Sequence, residues 1–372
     1  MARRADRATL AAALVDARER TLRQFAAFES ALGAGLRVPC TPELNLPLWE
    51  LGHIGWFADW WIARNPQLER GLRADPLATR HASRRAHADA LYDSSNVAHE
   101  RRWQLDLPDA HATRADLSAS LEQTLSLLRQ AVEDDTGLYF FRLALFHEDM
   151  HAEAAVTMAQ SLGIDVGHQP SRVHTEPSHA HVPATPWTQG WSGPGFAFDN
   201  ELGAHAVQVD AFEIDTHPVT WARYLPMVDV GLAAVPRYLR RAFHGWEVQR
   251  FGTWQTLDMR MAACHLSATE AQAWCRWAGR RLPTETEWEV AAHTVPGFAW
   301  GEVWEWTASR FAPFPGFTPH PYRDYSTPWF NDRPVLKGAS TATHPRMRHP
   351  RYRNYFPAAR TDIFAGFRSV GP

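Results

Sequence analysis

Apolar residues recur at three- and four-residue intervals from Ala5 to about Gly163, with few internal prolines, a pattern that predicts helices. Four long segments carry it, at about 5–33, 47–64, 114–133 and 137–162, and together they make a four-helix bundle with two longer connections. Within the second, LPLWELGHIGWFADWW is apolar on nearly every face, so that helix is largely buried. From Asp165 to Trp191 the chain turns rich in Pro, Ser and His, which predicts a linker or crossing strap. Beyond it come short strand-like pieces such as AVQVDAFEID, one clear helix at SATEAQAWCRWAGR, and long stretches punctuated by Gly and Pro. That half is irregular α+β, with loops long enough to line a pocket. The expected organisation is a helical domain over 1–165, a linker over 166–190 and a second domain over 191–372, with no internal repeat.

Composition narrows the function. A chain of 372 residues, 45% hydrophobic, has the size for two domains. No apolar run reaches the eighteen or so residues of a membrane span, and MARRADRATLAAALVDARER is a charged amphipathic helix whose early arginines leave a targeting segment as the alternative. With 38 basic against 41 acidic residues the net charge is −3, so no footprint for nucleic acid is present. Three cysteines, Cys40, Cys264 and Cys275, at wide spacing fit a reducing cytoplasm rather than a disulfide scaffold, and no CxxC zinc pattern occurs. Nineteen histidines and 17 tryptophans exceed ordinary usage. They leave room for a metal site and for aromatic faces that recognise a cation, although packing alone accounts for either surplus.

LALFHEDMHAEAAV contains neither Gly nor Pro, so His147 and His151 fall at i and i+4 on one helix face, where two imidazoles can grip one metal. Glu148 and Asp149 flank the first histidine as candidate acceptors that fix a tautomer, and Glu153 follows. An isolated HxxxH also fits a solvated face with two unrelated histidines. His53, in its apolar helix, requires a partner, and by itself it reads as a satisfied core histidine. A third ligand from a second helix completes a facial triad with open positions, which zinc and iron accept equally.

LWELGHIGWF, ALYDSSNVAHERRW and LFHEDMHAEA resemble the DinB-like half of the ergothioneine and selenoneine synthase family. FEIDTHPVTWARY, LSATEAQAWCRWAGRRLPTETEWEVAAH, WGEVWEWTAS, FPGFTPHPYRDYSTPWF, VLKGASTAT and RYRNYFPAARTDIFAGFRS resemble its formylglycine-generating-enzyme-like, or sulfatase-modifying, domain, of C-type-lectin-like fold. The likeness spans nearly the whole chain, with the motifs in order. It implies an Fe(II) site on His53, His147 and His151, and oxygen-dependent bonding of a chalcogen to C2 of the imidazole of N-α-trimethylhistidine (hercynine). It implies a tyrosine near the metal that donates a proton or hydrogen atom, Tyr322 first and Tyr325 second, with Tyr92 as rival. Tyr325, Asn354, Tyr355, Phe356, Arg360 and Arg101 are the implied substrate-binding residues. Trp304 and Trp306 read as pocket wall or as core scaffold.

The donor is read from departures. In the branch of that family using γ-glutamylcysteine, an aspartate and an arginine four residues later grip the amino-acid end of the donor. Here Phe356 takes the aspartate's place while Arg360 keeps the arginine's, and Leu91-Tyr92 stands where the cysteine-using branch has paired tyrosines. An unpaired ammonium in a closed pocket is costly, so a seleno-sugar donor and selenoneine synthesis are expected ahead of cysteine or γ-glutamylcysteine. The rival classes are a DinB-like metal-dependent thiol S-transferase, which lacks a second domain, and a non-catalytic ligand-binding protein. Formylglycine generation needs a late cysteine pair, and no cysteine follows Cys275.

Overall fold

The computed structural model describes residues 2–169 and 178–372, and the chain divides into two compact units. The first comprises Met1–Gly167 with Pro194–Phe196 and His320–Asp324; the second comprises the remainder. Residues 170–177 of the expected linker lie outside the described residues, whereas 179–189 within it form two strands.

In the first unit, α1 (Arg7–Leu32) starts at Asp6, whose side chain accepts from the Thr9 amide at 2.8 Å, and stops at Gly33, whose φ of 72° suits a residue without Cβ. Helix α2 (Pro47–Ala58) has proline at its first position, where the missing N–H costs nothing. The helix expected to run to 64 changes pitch at Asp59–Ala63 into a π-turn, closed by the Arg64 amide on the Asp59 carbonyl at 2.8 Å. A short α3 (Ala88–Tyr92) follows. Helix α4 (Ala110–Gln130) begins four residues before the expected start because Asp109 caps it through the Ala112 amide. Helix α5 (Tyr139–Leu162) ends at Gly163. Helix α2 packs on α4 and α5, and α1 packs on α5 and α4, so a helical region encloses the histidines.

The second unit holds β1 (His179–Val182), β2 (Thr185–Gln189), β3 (His205–Val209), β4 (Phe212–Asp215), α6 (Trp221–Asp229), β5 (Leu239–Ala242), β6 (Gly245–Arg250) and β7 (Thr253–Thr256). It continues through α7 (Ala268–Trp277), α8 (Glu285–Thr294), β8 (Trp304–Arg310), β9 (Pro334–Gly338), β10 (Asn354–Tyr355) and β11 (Ala365–Gly366). Capping boxes start both α7, at Ser267 with Glu270, and α8, at Thr284 with Glu287. Strands pair as β1 with β4, β2 with β3, β5-β6-β7, and β10-β9-β8-β11, where only β8 with β11 is parallel. Trp304 and Trp306 of β8 are buried core, with the Trp306 Nε1–H donating to the Leu266 carbonyl at 2.7 Å. No described helix is long and apolar enough to cross a membrane.

Candidate metal centre

Helices α2 and α5 bring three imidazoles together inside the first unit. Nε2 of His147 lies 3.2 Å from Nε2 of His53 and 3.1 Å from Nε2 of His151. The opposite nitrogens are engaged: Nδ1 of His53 donates to the Tyr92 carbonyl at 2.7 Å, and Nδ1 of His151 donates to the Glu50 carboxylate. A neutral imidazole has one N–H, so both of these rings aim an Nε2 lone pair at His147, which can give a proton to one of them at most. A cation relieves that opposition. Two ligand nitrogens at metal–N bonds of about 2.0–2.1 Å stand roughly 3.0–3.4 Å apart, so the spacings fit a common metal. Among the described residues these three histidines form the one His, Cys, Asp and Glu cluster suited to a metal.

The surroundings keep His53 and His147 neutral and hold the rings in place. Burial, with the neighbouring His151 and despite the pull of Glu50, brings His53 down to about 3, and burial likewise lowers His147. Desolvation works to raise the Glu50 carboxyl, but His151 beside it holds the group down to about 2. Aromatic faces clamp two ligands. Phe57 stacks on His147 at 3.5 Å between centroids, and Trp49 stacks on His53 at 4.7 Å.

The two candidate tyrosines are oriented differently. Tyr322, in the 320–324 segment of this unit, stands edge-on to Phe57 at 5.0 Å and to His147 at 6.3 Å, and desolvation raises its phenol pKa. Desolvation raises the Tyr92 phenol to about 12. What Tyr92 presents to the centre is its backbone carbonyl, on His53. Its ring also passes so close to α2 that a Cβ at Gly52 would lie 2.3 Å from it.

Over 446 aligned positions, 97% of this chain and 98% of the relative, the sequence is 30% identical to the hercynine oxygenase of Mycolicibacterium smegmatis. The chain belongs to the hercynine oxygenase family. It is an oxygen-dependent oxidoreductase with a three-histidine site able to hold a metal. The hercynine oxygenase of Mycolicibacterium thermoresistibile is 29% identical over 97% of this chain and 94% of its own. Residues 167–300 match the sulfatase-modifying factor enzyme 1-like domain, and the formylglycine-generating enzyme of Mycobacterium tuberculosis is 31% identical over 28% of this chain and 49% of its own. The second unit of this hercynine oxygenase relative is thus a sulfatase-modifying-factor-like domain bearing sheets.

Other expected site residues of this family member lie as follows. In the second unit, the Tyr325 hydroxyl meets that of Tyr352 at 2.8 Å and its ring stacks on Phe198. Tyr355 stacks on Phe311 at 4.0 Å and gives its hydroxyl proton to the Tyr325 carbonyl, while Asn354 Oδ1 accepts from the Tyr355 amide. Arg360 is ion-paired with Asp362 and lies 5.3 Å from the Phe356 ring centroid. In the first unit Arg101 is exposed. Its neighbour Arg102 faces inward instead, 3.7 Å over the Trp49 ring and acting on Glu50, since successive residues of this 3-10 turn (His99–Gln104) point in different directions. Glu148 and Asp149 pair with Arg18 and Arg20 rather than with the ligands. Glu50 and Arg102 went unremarked in the sequence. The available signal was Glu50 three residues before His53, on the same helix face.

Proposed function

We propose that the protein is a cytoplasmic, dioxygen-dependent selenoneine synthase that joins hercynine to a seleno-sugar through a C–Se bond, with Fe(II) held by His53, His147 and His151 of a DinB-like bundle. The convergence of three Nε2 atoms, in a chain alike over its length to proteins named hercynine oxygenase, carries the reading. Iron bound there would hold dioxygen and both organic substrates close together, supplying the positioning that free solution lacks. The chain's residues do the rest. Glu50 and the Tyr92 carbonyl orient two ligands, Phe57 and Trp49 exclude water from their faces, and Tyr322 supplies a proton from its phenol oxygen. Tyr325, Asn354 and Tyr355 serve hercynine recognition in this reading, with Arg101 as a further substrate contact. Three free thiols suit a reducing compartment.

Support for the seleno-sugar comes from Arg360, Asp362 and Phe356. The guanidinium already has a carboxylate partner and a phenyl ring beside it. An amino-acid donor's carboxylate would compete with Asp362, and its ammonium would meet Phe356, whereas a sugar offers C–H faces to the ring and hydroxyls to the charges. A second reading, equally compatible with relatives named hercynine oxygenase, is sulfoxide synthesis with cysteine or γ-glutamylcysteine. Anaerobic iron loading, followed by oxygen, hercynine and equal amounts of a 1-seleno-sugar, cysteine and γ-glutamylcysteine, decides between them by mass spectrometry. A selenium product is expected, and a predominant sulfur product overturns the donor. Replacing any one ligand by alanine is expected to abolish turnover; a triple-alanine variant that keeps stoichiometric iron removes the metal assignment.

A further inference from the structure

Trp56 joins the metal centre to a surface cleft within the first unit. Its indole is stacked on His53 at 5.6 Å between centroids and is only 8% exposed. The same residue lines a partly open cleft with Gly52, Ser83, Arg84, Tyr92 and Asp116, in which the space for water centres is about 40 Å³. One water needs roughly 10–15 Å³ of such space, so the cleft admits small solutes' leading atoms as well as solvent.

The charges around the tryptophans of this region are unequal. Nε1–H of Trp56 donates to the Asp89 carboxylate at 2.7 Å, and Arg64 holds Asp89 through bonds of 2.6 and 2.9 Å. Trp49, also stacked on His53, donates to a neutral carbonyl, that of Leu91, and carries the Arg102 guanidinium 3.7 Å over its ring. Trp60, tilted by 30° against Trp56 at 5.5 Å between centroids, has Arg64 at 5.0 Å and Arg80 at 5.2 Å over its face. A carboxylate at the N–H stabilises a positive charge on an indole, and a guanidinium over the ring opposes it. Arg64 offsets part of the Asp89 charge, but of the three only Trp56 has a carboxylate at its N–H rather than a guanidinium over its ring, so its surroundings oppose loss of an electron least.

We infer that Trp56 is an oxidisable residue that passes an electron to the centre when oxygen has reacted there without a donor substrate, and is itself re-reduced in the cleft by a small thiol. This rests on the metal-dependent oxygen chemistry proposed above. Trp56 gives up electrons one at a time, four of them with four solvent protons taking dioxygen to two waters, and at each loss it keeps its Nε1 proton in the bond to Asp89, whose pairing with Arg64 makes it a poor proton acceptor. A thiol then returns the electron and releases its proton to solvent, and two such thiyl radicals combine to a disulfide. The protein is spared oxidation of its ligand histidines.

Two experiments on the full chain test this. In the first, a photogenerated one-electron oxidant is applied without iron, and the radical is identified by electron paramagnetic resonance. A tryptophan cation radical is expected, lost in Trp56→Phe and reduced in yield in Asp89→Asn. A signal that survives Trp56→Phe, or that is unaltered by Asp89→Asn, overturns the inference. In the second, iron-loaded protein receives oxygen without donor, with and without a small thiol, and peptide mass spectrometry locates oxidised side chains. Oxidation at Trp56, suppressed by thiol, is expected, with oxidation shifted to His53 and its neighbours in Trp56→Phe. Iron bound and oxygen consumed with Trp56 intact and no thiol consumption overturns the inference alone. Failure to take up iron overturns the proposed function, and the first experiment then decides the tuning of Trp56.

Discussion

Glu50 accepts from Nδ1 of His151 across 101 positions of chain, and the Tyr92 carbonyl does the same for His53. Such partners orient a ligand ring and raise its basicity, and their loss typically lowers metal affinity about 10–100-fold. Glu50→Ala is therefore expected to weaken Co(II) or Fe(II) binding by that order, with Glu50→Gln, which keeps an acceptor, weakened less. Metal titration checks both, and an unaltered affinity in the alanine variant sinks the role given to Glu50. Tyr322→Phe is expected to leave metal content intact while lowering product formation or diverting turnover to oxidised donor. Single-turnover product analysis reads this directly. Unchanged rate and product ratio would move the proton to Tyr92.

Helix α5 carries two different faces within the five residues from His147 to His151. His147 and His151 face the metal centre, while between them Glu148 pairs with Arg18 at 2.9 Å and Asp149 pairs with Arg20, both arginines on α1. Adjacent helical residues diverge by about 100°, which is why the acidic neighbours expected to steer the ligands reach α1 instead. Arg18 and Glu148 are both buried, so Glu148→Ala strands a buried guanidinium and is expected to cost roughly 3–5 kcal/mol. Arg18→Met combined with Glu148→Leu removes both charges and is expected to cost less than the single change. Urea denaturation of the three proteins supplies the comparison; a double variant less stable than the single would show that the seam depends on the ion pair itself. The pattern of apolar spacing located α5 within two residues, but the π-turn after α2 leaves no mark in that pattern, since it is closed by a single backbone bond from Arg64 to Asp59.

At the scale of the whole molecule, the first unit is assembled from three stretches of chain, and one of them, His320–Asp324, brings Tyr322 to Phe57. The second unit carries a pH dependence of its own. Burial, opposed by Asp362, lowers His265 from its usual 6.5 to about 4. Between those values the unfolded chain binds more protons than the folded one, so stability is complete above about 6.5 and falls as pH drops toward 4. The loss attributable to this residue is roughly 3 kcal/mol. His217 and His168, also lowered by burial, act with the same sign. His265→Asn, which tolerates the positive φ of 62° at this position, is expected to flatten the dependence. Urea midpoints across the window test it, and equal slopes in both proteins refute the assignment.

Periodicity, the HxxxH spacing on α5 and the burial demanded by the apolar α2 are local properties, and sequence alone determined them because helical geometry ties side-chain direction to position in the chain. It also carried the family likeness that pairs a helical region with a sulfatase-modifying-factor-like domain. Only the tertiary structure decided that Tyr92 offers its carbonyl to His53, that Arg102 rather than Arg101 lies over Trp49, and that Asp362 occupies Arg360. Each of these choices is made among neighbouring groups of equal chemical fitness by the packing of segments far apart in sequence, or by the twist of a short irregular turn. Spacing along the chain contains no term for either.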